Sequence, residues 1–172
     1  MLLDKITKGI WLISEFWDEE VCDAFINETN NIGYRSDNSE LLRTNSVVKF
    51  ETQELSNIIW EQLTELDLTI VDSVTPIGIN TWFRFYKYLP GQEFKRHKDC
   101  SFHKDEFERS YYSLLIYLND NFEGGETIFD EIVLQPKRGT AVIFPHHLMH
   151  SGSKIISGVK YILRADIMCI FK

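Results

Sequence analysis

From about Ile77 the apolar residues fall into a period of two, and the pattern holds almost to the last residue. NTWFRFYKY (Asn80–Tyr88), YYSLLIYLN (Tyr111–Asn119), ETIFDEIVL (Glu126–Leu134), TAVIF (Thr140–Phe144) and KYILRADIMCIF (Lys160–Phe171) are rich in β-branched and aromatic residues, the composition of strands. Turn signals separate them at Pro90-Gly91, Gly124-Gly125, Pro136, Gly139 and Gly158. Many short strands after a helical opening predict an α+β fold whose β part is a sandwich or barrel.

The helical opening shows in its own signals. Asp18 is a candidate N-cap for EEVCDAFINETNN, with Val21, Phe25 and Cys22 as an apolar stripe and Gly33 as the stop. A second helix is predicted from about Gln53 to Leu66, with Leu55, Ile58, Ile59 and Leu63 at helical spacing. Between them, Tyr34–Asn45 is polar and rich in Ser, Asn and Arg; it reads as a loop and as a candidate lid. A length of 172 residues suits one domain, 1–172, with 1–75 as mainly helical support and 76–172 as the β core.

Composition removes several function classes. A net charge of −8, from 26 acidic against 18 basic residues, repels phosphate backbones and anionic bilayers, so neither nucleic acid nor membrane is an expected partner. No apolar run approaches the ~18 residues of a membrane span. The opening MLLDKITKGIWLISEFW has no basic start, long apolar stretch or small-residue cleavage site, so the expected location is the cytosol. Cys22, Cys100 and Cys169 are an odd set without CxxC spacing, which argues against a disulfide framework or a thiolate zinc site. Oligomeric state has no signature here.

One strand displays two faces. Asn80, Trp82, Arg84, Tyr86 and Tyr88 fall on one side; Phe83, Phe85 and Leu89 fall on the other and belong to a core. The first set is too polar for a core and too aromatic for plain solvent. It is expected to line a cavity, with a sheet face covered by the N-terminal helices as the alternative.

The sharpest local feature is FKRHKDC. His97 and Asp99 stand two apart, so on extended backbone an imidazole and a carboxylate point the same way and can converge on one ion. A histidine from FPHHLMH, at the end of TAVIF, could supply a third ligand. Two histidines and one carboxylate make the facial triad of non-haem iron(II) oxygenases, which leaves positions open for 2-oxoglutarate and dioxygen. The distal carboxylate of 2-oxoglutarate needs a buried cation. Lys160 and Arg164 share a strand face, but four residues of strand span roughly 13 Å, so both cannot hold one carboxylate. One is the clamp and the other has a different task.

RFYKYLPGQEFKRHKD, SLLIYLND, FEGGETIF, LQPKRGTAVIF, HHLMHSG and GVKYILRADIM, taken in order across Asn80–Met168, resemble the prolyl 4-hydroxylase-like branch of the iron(II)/2-oxoglutarate dioxygenase superfamily. The resemblance implies a double-stranded β-helix (jelly roll) core buttressed by N-terminal helices. It implies His97, Asp99 and His150 as catalytic iron ligands, His150 being preferred over His146 and His147 for the following Ser-Gly and the spacing to Lys160. It implies Lys160 as the 2-oxoglutarate clamp and Tyr88 and Tyr117 as hydroxyl donors to that cosubstrate. Strand parity turns Tyr117 away from Leu114, Ile116 and Leu118. Arg164 stays a second cofactor-site candidate, and Trp82, Arg84 and Tyr86 become the substrate pocket, with Arg84 facing a substrate carboxylate or carbonyl. The implied cofactors are iron(II), 2-oxoglutarate and dioxygen, with ascorbate as an accessory. The implied reaction hydroxylates a C–H bond, of a prolyl residue in a peptide or protein, as 2-oxoglutarate becomes succinate and carbon dioxide.

The chain departs from its relatives at Lys154-Ile155, where they carry Pro-Val. Hydroxylation of a free amino acid or small metabolite is the alternative substrate class. A zinc hydrolase, or a metal-dependent sensor without turnover, are rivals from other classes; the hydrolase leaves Lys160 and Tyr117 without a role. His103 and Asp105 are expected in an exposed loop.

Overall fold

The computed structural model describes residues 1–7, 9–36, 43–66 and 74–171. In chain order the elements are β1 (Leu2–Thr7), β2 (Ile10–Ser14), α1 (Glu19–Ile32), β3 (Arg35–Ser36), β4 (Ser46–Glu51), α2 (Gln53–Thr64), β5 (Val74–Ile79), β6 (Trp82–Tyr88), β7 (Phe94–His97), β8 (Glu108–Tyr117), β9 (Glu123–Gly124), β10 (Thr127–Phe129), β11 (Ile132–Leu134), β12 (Ala141–Pro145), β13 (His150–Gly152), β14 (Ile155–Ser157) and β15 (Lys160–Phe171).

A nine-stranded antiparallel sheet runs β1-β2-β12-β8-β15-β6-β4-β3, with β5 also on β15. A four-stranded sheet, β11-β10-β13-β7, faces it, and β14 pairs with β9. Apart from β1-β2, β3-β4 and β10-β11, neighbours in these sheets are not consecutive in sequence, the double-stranded β-helix arrangement. Strand alternation sorts the core into two layers. Phe83, Phe85, Leu114, Ile116, Leu163 and Ala165 face outward onto the helices, joined by Cys22, Leu55, Ile59 and Leu63. Tyr86, Tyr88, Leu115, Tyr117, Val142, Phe144 and Ile162 face inward, where Phe129, Leu134 and Ile155 meet them.

The helices form where their caps allow. Asp18 accepts from the Val21 amide at 2.8 Å, and Gly33 N–H donates to the Thr29 carbonyl at 3.1 Å, satisfying amide and carbonyl groups that a helix end leaves open. Thr52 caps α2 from Leu55 N–H at 3.4 Å. Among the described residues no helix is long and apolar enough to cross a membrane.

The sequence reading needs three corrections. The first 75 residues are not helices alone: besides α1 and α2 they hold β2 and β4, which join the large sheet and extend it on both sides. Their residues pair with β12 and β6, a partnership that local periodicity does not encode. The expected strand Glu126–Leu134 is a hairpin, β10 and β11, turned at Asp130 with φ 42°. Leu89 is 43% exposed and Ile58 47%, not core, since β6 ends at Tyr88 and α2 turns Ile58 to solvent. Within the expected loop Tyr34–Asn45, residues 37–42 lie outside the described residues, and with them the centre of the candidate lid.

Candidate active site

His97 ends β7 and His150 begins β13, and the two are directly paired across the small sheet. Asp99 follows β7, held by its amide donating to the His146 carbonyl at 3.0 Å. One ligand atom from each of His97, Asp99 and His150 lies within 4.8 Å of the others. Both imidazoles are set for one task. His97 Nδ1 lies 2.8 Å from the Lys95 carbonyl and His150 Nδ1 3.0 Å from that of Leu148. A carbonyl only accepts, so each Nδ1 carries the proton and each Nε2 offers a lone pair. Ring packing holds the planes: Phe94 stacks on His97 at 3.5 Å and Phe144 lies edge-on to His150 at 4.6 Å.

The carboxylate is held from behind. Ser113 Oγ donates to Asp99 Oδ2, and Arg164 Nη2 stands 3.3 Å from the same oxygen. Oδ1 faces His97 Nε2 at 3.5 Å, yet that buried nitrogen has no hydrogen-bond partner among the described residues. Burial alone would push the Asp99 carboxyl up; the Arg164 guanidinium, then the two imidazoles and the Ser113 hydroxyl, outweigh it and hold the group well below the usual carboxylate range. Burial lowers His150 below its ordinary value, which keeps it neutral as a ligand must be.

The same cavity continues inward to Tyr86, Tyr88, Thr127, Ile155, Lys160 and Arg164. Lys160 is 4% exposed. Its Nζ donates to the Gly125 carbonyl at 2.6 Å and lies 5.4 Å from the Tyr117 ring and 5.8 Å from the Tyr88 ring. Gly125 can approach this closely because it has φ +70° and no side chain; a Cβ there would stand 2.6 Å from Ile155 Cδ1 and 3.2 Å from Lys160 Cδ. Among the described residues no carboxylate pairs with Lys160, and burial pulls its ammonium down to about 7 against the weaker pull of Glu126.

The other expected residues divide. Tyr88 and Tyr86 line the cavity. Tyr117 is fully buried beneath it, its hydroxyl donating to Thr127 Oγ1 at 2.6 Å. Arg84 is committed to Asp166 at 3.1 Å, so it does not stand ready for a substrate carboxylate. Trp82 is on the rim, 46% exposed, and lines a different groove. Arg164 bridges Asp166 at 2.9 Å and Asp99, so it stands behind the metal-type ligands while Lys160 occupies the far wall. His146 is buried between Ser113 and Ser110, at 2.9 Å from each, and burial draws it down to about 4. His147 is exposed, and Asp105 caps its own loop through the Phe107 and Glu108 amides at 2.8 Å each.

Residues 82–165 match the family described as the 2OG-Fe(II) oxygenase superfamily. Those residues are just under half of the chain, and over them it resembles that superfamily. The superfamily implies iron(II), 2-oxoglutarate and dioxygen, and the donor set fits: two Nε2 lone pairs, one of them orphaned, beside an ionised carboxylate whose side chain is 7% exposed. A relative in Acanthamoeba polyphaga mimivirus, named as a prolyl 4-hydroxylase, is 31% identical over 97 residues, 44% of this chain and 40% of that one. The chain thus spans 40% of the length of that curated relative. Solved oxygenases of the superfamily share the fold. The viral collagen prolyl hydroxylase of Paramecium bursaria Chlorella virus-1, solved with 2OG, superposes with a TM-score of 0.69 at 22% identity over 95% of this chain and 99% of that one. A Pseudomonas putida prolyl-4-hydroxylase gives 0.66 at 16%, over 92% and 91%. A Trichoplax adhaerens prolyl hydroxylase, solved with a hypoxia inducible factor peptide, gives 0.71 at 15%, over 94% and 84%.

Sequence reading missed Ser113 and Asp166, and weighed His146 only as a rival ligand; the three surround Asp99 and Arg164. A buried-strand serine and an Asp inside the apolar run KYILRADIMCIF were the available signals, since charge in such a run needs a partner.

Proposed function

We propose that this chain is an iron(II)- and 2-oxoglutarate-dependent dioxygenase that hydroxylates a prolyl residue in a peptide or protein. One observation carries the reading: a single cavity is lined at one end by Asp99 and His150, which His97 joins in one cluster, and at the other by a buried lysine that has no carboxylate partner among the described residues. A buried cation without an anion is costly unless a ligand supplies one. 2-Oxoglutarate does so with its distal carboxylate while its other end lies toward the metal-type ligands. In this reading His97, Asp99 and His150 hold the iron, which when bound supplies the redox chemistry for dioxygen. Lys160 clamps the cosubstrate, with Thr127 and the tyrosines forming the wall of its pocket. Phe94, Leu115, Ile155 and Ile162 exclude water from the reacting end.

The overall change balances as a C–H bond, dioxygen and 2-oxoglutarate giving an alcohol, succinate and carbon dioxide. Ascorbate belongs to the proposal as an accessory reductant. The similarity to proteins named as prolyl hydroxylases supports the substrate class. The test is succinate release from 2-oxoglutarate with iron(II), against proline-containing peptides and free amino acids. Stimulation by peptides is the expected result. Stimulation by a free amino acid alone would replace the substrate class, and no turnover of 2-oxoglutarate under any condition would overturn the reading.

A further inference from the structure

A second groove opens on the rim beside the cavity. It encloses about 430 Å³, within the range of ligand sites, between α2, the β5–β6 turn and the segment after β7. Trp60, Trp82 and Phe102 line it with Asn80, and Glu51 and Glu108 contribute acid. Trp82 is 46% and Phe102 43% exposed, an unusual amount of aromatic surface to leave in water at one place. Asn80 is 6% exposed, and its Nδ2 has no acceptor among the described residues.

The groove is linked to the candidate active site through the protein. Asn80 N–H donates to the Asp166 carbonyl at 2.8 Å, and the Asp166 carboxylate meets both Arg84 and Arg164, the latter touching Asp99. Phe102 follows Asp99 by three residues. Trp82 stands four positions along β6 from Tyr86, which lines the cavity. Four strand residues span roughly 13 Å. An extended peptide advances about 3.3 Å per residue, so a side chain in the groove belongs to a residue about four positions from the one at the metal-type ligands. A single free amino acid cannot cover that distance.

We propose that this groove is a flanking subsite for a peptide substrate. It takes an extended, neutral-to-basic segment whose proline or other apolar side chains pack on Trp82, Phe102 and Trp60, and a backbone carbonyl completes Asn80. The inference rests on the hydroxylase reading above and deepens it from prolyl residue to extended peptide. The acidic lining, in which Lys104 is already paired with Glu108 at 2.8 Å, and the chain's net charge of −8 favour basic over acidic segments.

The test uses a fluorescein-labelled peptide of about twelve residues, long enough to span both sites, built on an Ala-Pro-Lys repeat, and its capped tripeptide. Fluorescence anisotropy is read on the full chain with and without manganese(II) and 2-oxoglutarate, while calorimetry reports whether those two bind. The expected result is that the long peptide binds at least about tenfold tighter than the tripeptide, and that Trp82→Ala and Phe102→Ala each remove most of that preference, as loss of an aromatic anchor does. Trp82→Phe should restore it. Both side chains are well exposed, and circular dichroism confirms that the variants fold. Equal binding of long and short peptides, or a length preference untouched by both substitutions, overturns the groove even where manganese and 2-oxoglutarate bind normally. Failure of those two to bind would instead count against the hydroxylase reading, with the length preference still deciding the groove.

Discussion

Lys160 and Arg164 sit on one face of β15, yet the molecule gives them different company. Lys160 faces the cavity with a carbonyl as its hydrogen-bond partner, and Arg164 is locked between Asp99 and Asp166. Lys160→Ala is therefore expected to weaken 2-oxoglutarate by about 10- to 150-fold, the equivalent of a charged hydrogen bond of roughly 1.5–3 kcal/mol, with manganese binding retained. Arg164→Ala is expected to do the reverse, weakening manganese by about 10- to 100-fold as loss of a residue behind a ligand does. Calorimetry with each ligand separates the two, and a reversed order would exchange the roles. Acidity supplies a second residue-scale expectation. Burial lowers the Lys160 ammonium to about 7 in the ligand-free chain, and the cation is the form that binds a carboxylate. Below pH 7 the lysine is already protonated and 2-oxoglutarate affinity should be flat. Above it, binding must take up a proton, so affinity should fall by up to about tenfold per pH unit. Lys160→Arg, which stays charged, should remove that slope; a slope that survives the change assigns it to another group.

At the scale of elements, the lysine depends on a turn. The Gly124-Gly125 segment brings a carbonyl against β15, and Gly125 holds φ +70° in a space that a methyl group would share with Ile155, Phe122 and Lys160. Left-handed backbone costs an ordinary residue about 1–2 kcal/mol, and the side chains around it must shift. Gly125→Ala should therefore lower the melting temperature by roughly 2–8 °C and weaken 2-oxoglutarate more than manganese, because the crowding falls on Lys160 and not on the three metal-type ligands. Equal losses for both ligands would show a general loosening instead. The strand elements themselves were readable from composition and alternation: β6 and β15 lie within the segments the period of two predicts, and β8 and β12 overlap theirs. The hairpin β10–β11 was not, because nothing in ETIFDEIVL reads as a turn until Asp130 adopts φ 42°.

For the molecule as a whole, the chain's N-terminal strands matter out of proportion to their motif content. Ile13 is fully buried and its strand pairs with β12, the strand that leads toward His146 and His150. Phe16 and Trp17 amides close onto the Gly139 carbonyl at 2.9 and 3.1 Å. Ile13→Ala should cost about 2–5 kcal/mol of global stability, as large-to-small core changes do, seen as a lower urea midpoint with an unchanged slope. A loss below about 1 kcal/mol would mean that the edge formed by β1 and β2 is an accessory and not part of the cooperative core.

What the sequence determined by itself is what local physics can encode. Alternation set which residues of β6, β8 and β15 share a face, capping chemistry set the start of α1 at Asp18 and its stop at Gly33, and side-chain chemistry nominated His97, Asp99, a distal histidine and two cations. Only the tertiary structure decided among them. Cross-strand register put His150, not His146 or His147, opposite His97; ion pairing tied both Arg84, the substrate-pocket candidate, and Arg164, the second cofactor-site candidate, to Asp166; and Trp82 was carried past the cavity to the rim. These are outcomes of hydrogen bonds and charge pairs between segments up to about a hundred residues apart, whose energies exist only when the chain closes, so no window of the sequence contains them.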